Sequence, residues 1–316
     1  MRRARERSAV RGYRAAAAAI SRVPVGLSLP AGKAVFVSSY FAWPKKRRII
    51  LSNAAHVLGL PAGDRRVRHL ARRIYATYAQ FVIELMRLPS LPADEPARLM
   101  RSGGEHGEES FAAIFERLRS DGHGLIAVSA HIGSIDILAG AVALRGLPTY
   151  GLADDSAYPE LFEEMNANRR RWGIEVIPWR NLRRVFQALR EPAILGLVVD
   201  WGYRPDGIPV RIFGEWTTLP AGPAMLAAKT GAAIVPVVCR RLDDGAYEAR
   251  HYEPIEVADS SPAEMQRATQ LVADAVEDMI ATAPEQWYSF KPIWPDTAEE
   301  KAALAARVEQ AEAGTA

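Results

Sequence analysis

Residues 125–140 read LIAVSAHIGSIDILAG. The apolar run at the start of this stretch is typical of a strand buried on both faces, and the second half has the spacing of a helix. Gly133 and Ser134 lie between the two and are expected to open the helix. The stretch therefore predicts a strand that runs into His131 at the carboxyl edge of a sheet, where α/β proteins bind ligands.

The same alternation of short apolar runs and amphipathic segments continues from residue 111 to residue 282. The predicted strands are residues 125–129, 148–152, 175–178, 194–199, 210–213, 233–238 and 247–252. The predicted helices are residues 135–144, 159–172, 182–190, 221–230 and 262–282. This order predicts an α/β fold with a central, largely parallel or mixed sheet of about seven strands flanked by helices.

The first third of the chain has a different character. Residues 33–59, with a break near Pro44, and residues 64–88 have helical spacing, whereas residues 91–108 are rich in Pro, Gly and charge and predict a connector or mobile loop. The chain therefore divides into a basic, helical, membrane-docking region (1–90), an α/β core (91–295) and a peripheral or disordered tail (296–316). Residues 1–22 themselves predict a basic helix or a frayed end.

Charge is distributed unevenly along the chain. Residues 1–90 contain 18 Lys and Arg against three acidic residues, although the net charge of the whole chain is +3. Such a basic segment indicates an anionic partner, either a nucleic acid or a membrane surface. No apolar run reaches the roughly 18 residues that a spanning helix needs. The single cysteine, Cys239, excludes an intramolecular disulfide framework.

His131 and Asp136 form the strongest candidate for chemistry. A carboxylate that accepts a hydrogen bond from one imidazole nitrogen fixes the tautomer, so that the other nitrogen can take a proton as a general base. A plainer interpretation makes Ser134 a helix cap and Asp136 a partner of the helix dipole. Asp200 competes for the imidazole because it ends the predicted strand 194–199. We favour Asp136 on its spacing.

The element His131-Ile-Gly-Ser-Ile-Asp136 resembles the His-x-x-x-x-Asp/Glu motif of the lysophospholipid acyltransferase superfamily. The order of the later features resembles one branch, which contains the lipid A lauroyl/myristoyl acyltransferases and the bacterial phosphatidylinositol mannoside acyltransferases. The matching stretches are residues 168–173 (NRRRWG), 196–200 (GLVVD), 213–236 and 283–287 (APEQW). The chain departs from the lipid A members at residues 200–202, where Asp-Trp-Gly replaces Asp-Gln-Asp, and it lacks their usual spanning helix.

This resemblance implies a glycerolipid acyltransferase-like fold and transfer of a fatty acyl chain to a hydroxyl of a glycolipid or lysophospholipid. Acyl-CoA or acyl carrier protein is expected as the donor substrate, with no metal and no cofactor. His131 is the expected base, without a covalent acyl-enzyme. Backbone N–H groups at Gly133 and Ser134, or an arginine, are the expected donors to the oxyanion. Arg169 and Arg171 are expected to bind a phosphate, although a charged helix end also explains them.

The basic run Lys45-Lys46-Arg47-Arg48 follows an apolar, aromatic stretch and predicts an anchor on an anionic membrane surface. Its apolar members are Val35, Phe36, Tyr40, Phe41 and Trp43. We therefore expect a peripheral protein on the cytoplasmic face of the cell membrane. Two rival functions are an acyl thioesterase or hydrolase and a nucleic-acid-binding protein. The second is disfavoured because the basic residues alternate with apolar ones and no groove-reading motif is present.

Overall fold

Alternating apolar and amphipathic segments give an α/β fold in the computed structural model, which describes residues 2–101, 111–120, 122–154 and 159–313. The helices are α1 (Arg2–Arg22), α2 (Val25–Ala42), α3 (Pro44–Leu58), α4 (Arg65–Arg87), α5 (Glu95–Leu99), α6 (Phe111–Ser120), α7 (Ile135–Ala143), α8 (Pro159–Arg171), α9 (Leu182–Arg190), α10 (Gly222–Thr230), α11 (Pro262–Thr282) and α12 (Ala298–Ala313). The strands are β1 (Met100–Arg101), β2 (Leu125–Ser129), β3 (Thr149–Ala153), β4 (Ile174–Pro178), β5 (Ile194–Val198), β6 (Ile208–Ile212), β7 (Glu215–Leu219), β8 (Ala233–Arg241) and β9 (Tyr247–His251).

The main sheet has seven strands in the order β1-β9-β8-β2-β5-β3-β4. Strand β9 is antiparallel to β8, and the other neighbouring strands are parallel. Every residue of β2 is buried because helices cover both faces of the sheet. Ile126 and Val128 pack in one large core cluster, and Leu125 and Ala127 pack in a second with Phe115 of α6. The predicted mixed α/β sheet is confirmed.

One predicted strand lies outside the main sheet. Residues 210–213 belong to a separate antiparallel hairpin of β6 and β7, in which Ile212 pairs with Glu215. Phe213 and Gly214 form the two-residue turn, with φ of 52° and 77°. Positive φ at both positions is the geometry of a type I′ hairpin turn. The seventh strand of the main sheet is instead β1, a two-residue edge strand within the predicted connector, whose residues 102–108 lie outside the described residues.

The helical N-terminal region packs against the α/β core. Helices α2 and α3 meet at Pro44, and Asp64 caps α4 by accepting a hydrogen bond from the Arg66 N–H at 2.7 Å. The predicted helices and their break are therefore confirmed. Tyr78 of α4 contacts Phe290 with ring centroids 4.7 Å apart. The first 90 residues thus cover the segment near residue 290, although the predicted division into three regions stays a prediction.

The two ends of the chain are helical where the structure describes them. The basic segment at the start forms α1, and the predicted tail forms α12, whose Leu304 and Val308 are buried. None of the helices within the described ranges combines the length and the apolar character that crossing a bilayer requires.

Candidate active site

His131 follows β2 at the carboxyl edge of the sheet and contacts Asp200. Its Nδ1 lies 2.7 Å from Asp200 Oδ1. The imidazole is 32% exposed, whereas the Asp200 side chain is 2% exposed. In the described part of the chain, the other ring nitrogen, Nε2, makes no hydrogen bond. The site therefore holds an imidazole that is fixed on one side and open to a substrate on the other.

The prediction that Asp136 orients His131 is wrong, and the register of the sheet gives the reason. Strands β2 and β5 are parallel neighbours, with Ser129 paired to Val198, and the Val199 N–H donates to the Ser129 carbonyl at 3.0 Å. Continuing that register by two residues places His131 directly beside Asp200. Asp136 lies in the first turn of α7 and contacts another residue.

Asp200 is a buried carboxylate, and both of its oxygens accept hydrogen bonds. Both of its oxygens lie 3.0 Å from the His131 backbone nitrogen, and Oδ2 accepts the indole N–H of Trp287 at 2.8 Å. Burial alone would raise the pKa of Asp200, but His131 and these hydrogen bonds lower it below its usual value. Asp200 therefore stays ionised beside the imidazole.

The pKa of His131 results from opposing effects. Burial disfavours the imidazolium and lowers the pKa, and the ammonium of Lys291 acts in the same direction. The charge and hydrogen bond of Asp200 outweigh both, so that the pKa lies above the usual value near 6.5. The arrangement stabilises an imidazolium, which is the species that a base forms when it accepts a proton.

The turn after His131 is held by backbone pairing and leaves no free N–H groups at Gly133 and Ser134. The Gly133 N–H donates to the Gln286 carbonyl at 3.1 Å, and the Ser134 N–H donates to the Cys239 carbonyl at 3.1 Å. Gly133 has φ of 58°, and a Cβ there would lie 1.8 Å from the same Cys239 oxygen. The expected use of these two amides as oxyanion donors is therefore not supported.

Ser134 acts as a helix cap in this turn. Its buried hydroxyl accepts the Ile137 N–H at 3.4 Å at the start of α7. The plainer interpretation of Ser134 therefore accounts for its position, and neither Gly133 nor Ser134 presents a free polar group to a substrate.

Asp136 pairs with Arg169 in a half-buried ion pair. The Arg169 Nε donates to Asp136 Oδ1 at 2.6 Å, and Nη2 donates to Oδ2 at 3.3 Å. Nη1 donates to the buried Asn166 side chain at 3.1 Å. The two charged side chains are 15% and 20% exposed. Asp136 thus connects α7 to α8, and the Arg169 guanidinium is already occupied.

Arg171 is also engaged in holding the fold. Its Nη1 donates to the Pro89 carbonyl at 2.7 Å and its Nη2 to the Leu91 carbonyl at 3.2 Å. The structure gives no support to the predicted phosphate clamp of Arg169 and Arg171, because the first guanidinium binds a carboxylate and the second binds two backbone oxygens.

Replacing Asp136 by alanine is expected to lower the free energy of unfolding by about 2 kcal/mol, because it leaves the half-buried Arg169 charge without its carboxylate. Denaturant unfolding measures this change. Glu163→Gln is the matched control, since its ion pair with Arg170 is exposed and should contribute under about 0.5 kcal/mol. Equal stability of the two variants would refute the structural role of Asp136.

Sequence reasoning gave no role to three residues near His131. Trp287 donates to Asp200, Trp201 lies with its ring 5.3 Å from the imidazole, and Lys291 lies over Trp201. Trp287 had a signal, because it ends the stretch 283–287 that carries the family resemblance. Trp201 could have been noticed because it follows Asp200 in the chain. No feature of the sequence pointed to Lys291, since only the fold places it near His131.

The structure thus places a histidine and a carboxylate side by side at the carboxyl edge of a mixed α/β sheet. A model of the bacterial lipid A biosynthesis acyltransferase family matches residues 14–295, so the chain belongs to this family. A phosphatidylinositol mannoside acyltransferase of Mycolicibacterium smegmatis is 31% identical over 261 residues, which cover 79% of this chain and 81% of the relative. A phosphatidylinositol mannoside acyltransferase of Mycobacterium tuberculosis is 27% identical over 266 residues, which cover 81% of this chain and 79% of the relative. The predicted family and enzyme class are confirmed.

Proposed function

We propose that this acyltransferase moves a fatty acyl chain from a thioester donor, acyl-CoA or acyl carrier protein, to a hydroxyl of a phosphatidylinositol mannoside-like glycolipid. The contact between His131 Nδ1 and Asp200 carries the proposal, because it leaves Nε2 as a base with a fixed tautomer. The acceptor is inferred from the names of the two mycobacterial relatives.

Transfer proceeds in two proton movements at one nitrogen. As the acceptor oxygen attacks the thioester carbon, Nε2 of His131 takes the hydroxyl proton, and Asp200 stabilises the imidazolium. The tetrahedral intermediate then collapses and the C–S bond breaks. The imidazolium returns its proton to the leaving sulfur, so that the products are the new ester and a free thiol. No bond between the acyl group and the enzyme forms.

The proposal is tested by incubating the purified protein with acyl-CoA or with acyl carrier protein and following product lipids by mass spectrometry. A phosphatidylinositol mannoside is expected to gain one acyl chain, and an underacylated lipid A precursor in a parallel reaction is expected to gain none. Free fatty acid without an acylated lipid would instead indicate a hydrolase and refute the proposal.

Membrane docking through α2 and the start of α3 forms part of the proposal. Helix α2 has one charged residue, Lys33, in 18 positions. Its surface and that of the adjoining loops expose Val25, Leu27, Val35, Phe41 and Trp43. Phe36 and Tyr40 instead pack against α4, where their rings contact Tyr78 and Tyr75. The exposed apolar side chains beside a basic run have the composition of an interfacial anchor.

The four basic residues of the run have different surroundings. Lys45 and Arg48 are exposed, and Arg48 makes an exposed ion pair with Asp296. Lys46 donates to the Phe290 carbonyl at 3.0 Å, and Arg47 lies over the Tyr40 ring. Lys45 and Arg48 are therefore the members best placed to meet anionic headgroups.

The double variant Lys45→Gln/Arg48→Gln is expected to bind anionic vesicles about 30-fold more weakly, at about 1 kcal/mol for each charge. Co-sedimentation at low salt measures the effect. Transfer to a detergent-dispersed acceptor should change little. The control, Arg145→Gln/Lys229→Gln, removes two exposed charges from the opposite edge of the sheet and should bind normally. Equal loss in both variants would exclude a specific anchor.

A further inference from the structure

A phosphate-bearing substrate needs a cation near His131, and the arginines expected to supply it are occupied. Arg169 binds Asp136, and Arg171 binds two backbone carbonyls. The charge of Lys291, by contrast, is close enough to His131 to lower its pKa. Within the described residues, Lys291 is an exposed lysine whose ammonium has no carboxylate in salt-bridge contact.

The loop after Asp200 fixes Lys291 beside the site. Its Nζ lies 3.7 Å from the centroid of the Trp201 ring, which in turn lies 5.3 Å from the imidazole of His131. Gly202, at φ of 110°, packs so closely that a Cβ would lie 3.1 Å from the Lys291 Cβ. The Tyr203 N–H donates to the Pro292 carbonyl at 2.8 Å. The Lys291 stem is therefore held by backbone packing, and its ammonium by an indole face.

The surroundings of Lys291 are positively charged. Lys46 is half-buried and donates a hydrogen bond to the carbonyl of Phe290, the residue that precedes Lys291. Burial lowers the pKa of Lys291, the charges of Lys46 and Arg204 lower it further, and Asp154 opposes them. Arg204 forms its own ion pair with Asp206 at 2.8 Å. The Lys46 and Lys291 ammonium groups repel each other, and an anion bound by both would remove that cost.

We propose that Lys291, supported by Lys46, binds a phosphate group of a substrate beside His131. The inference rests on the proposed function, because both substrates of that reaction carry phosphate. One is the phosphodiester of the lipid acceptor, and the other is the phosphate of CoA or of the phosphopantetheine arm. The Trp201 ring contacts both the Lys291 ammonium and the imidazole, so a phosphate bound at Lys291 would lie no more than about one indole from the base.

That separation suits the acceptor better than the donor. In a glycosylated phosphoinositide, sugar rings lie between the phosphodiester and the reacting hydroxyl. In an acyl thioester, the whole extended pantetheine arm lies between the phosphate and the sulfur. A phosphate about one indole away from the base matches the distance across the sugar rings of the acceptor better than the length of the pantetheine arm. We therefore expect the phosphate bound by Lys291 to belong to the acceptor.

Matched substrates with and without phosphate separate these sources. Three variants are assayed: Lys291→Gln, Lys291→Arg and the control Lys229→Gln. The acceptor is either a phosphatidylinositol mannoside or a phosphate-free alkyl mannoside, and the donor is either acyl-CoA or S-acyl pantetheine. Lys291→Gln is expected to raise KM for the phosphate-bearing acceptor about tenfold, the range of a charge-assisted hydrogen bond. It should leave KM for the alkyl mannoside unchanged, and Lys291→Arg should recover most of the loss.

A rise confined to acyl-CoA, absent with S-acyl pantetheine, would support the site and assign it to the donor. Equal losses with phosphate-bearing and phosphate-free substrates, or no loss with any of them, would overturn it. Calorimetric titration with glycerophosphoinositol and CoA, against inositol and pantetheine, tests the same site without turnover. A wild-type protein that transfers no acyl chain refutes the proposed function alone, whereas equal Kd values for wild type and Lys291→Gln refute the anion site.

Discussion

Replacing His131 by alanine is expected to lower acyl transfer by about 10²- to 10⁴-fold, the usual contribution of a general base. The fold should persist, because the partly exposed imidazole stands at the end of a strand and contributes little to the core. Asp200 keeps the hydrogen bonds from the residue 131 amide and from the Trp287 indole, so that its charge stays paired.

The measurement is initial velocity with saturating donor and acceptor, together with the unfolding midpoint of each variant. His69→Ala is the matched control, since His69 is an exposed histidine of α4 and its loss should leave the rate unchanged. A folded His131→Ala protein with wild-type turnover would refute the base assignment.

Asp200→Asn is expected to reduce transfer by about 10²- to 10⁴-fold, because an amide no longer fixes the imidazole tautomer or stabilises the imidazolium. Asp136→Asn should stay within about tenfold of wild type when rates are corrected for the folded fraction. Its carboxylate binds Arg169 and does not contact His131. A larger loss for Asp136→Asn at matched folding would reverse the assignment.

The pH dependence gives a second measurement of the same pair. The base must be neutral, so kcat/KM rises as pH increases through the pKa of His131, which Asp200 holds above its usual value. Removing the Asp200 charge leaves burial and Lys291 to lower that pKa. The acidic limb of the profile should therefore move to lower pH in Asp200→Asn and stay in place in Asp136→Asn.

The main sheet was predictable because its central strands are buried on both faces. A strand such as β2 must be a continuous apolar run, and such runs between amphipathic helices are visible in the sequence. The β6–β7 hairpin was missed because Phe213 occupies a turn position that usually contains Asn, Asp or Gly. Strand β1 was missed because two residues carry no periodicity.

The candidate active site was predictable only in part. The position of His131 after a buried strand identified the base candidate, and Asp200 was recognised as a competitor at the end of another strand. Choosing between Asp136 and Asp200 required the pairing of β2 with β5, which local spacing does not contain. The partners of Arg169 and Arg171 likewise depend on how α7, α8 and the segment near Pro89 pack together.

The pairing of residues 286–288 with the turn after β2 makes the candidate site depend on a segment that the ribosome synthesises after every described strand. The Tyr288 N–H donates to the His131 carbonyl at 2.7 Å, and the Trp287 indole completes the donors around Asp200. A nascent chain that ends before residue 284 contains every described strand of the sheet, but its Asp200 lacks the indole donor and its turn lacks the Tyr288 N–H. We therefore expect the His131–Asp200 pair to gain its full set of hydrogen bonds during synthesis only after residues 287 and 288 have left the ribosome.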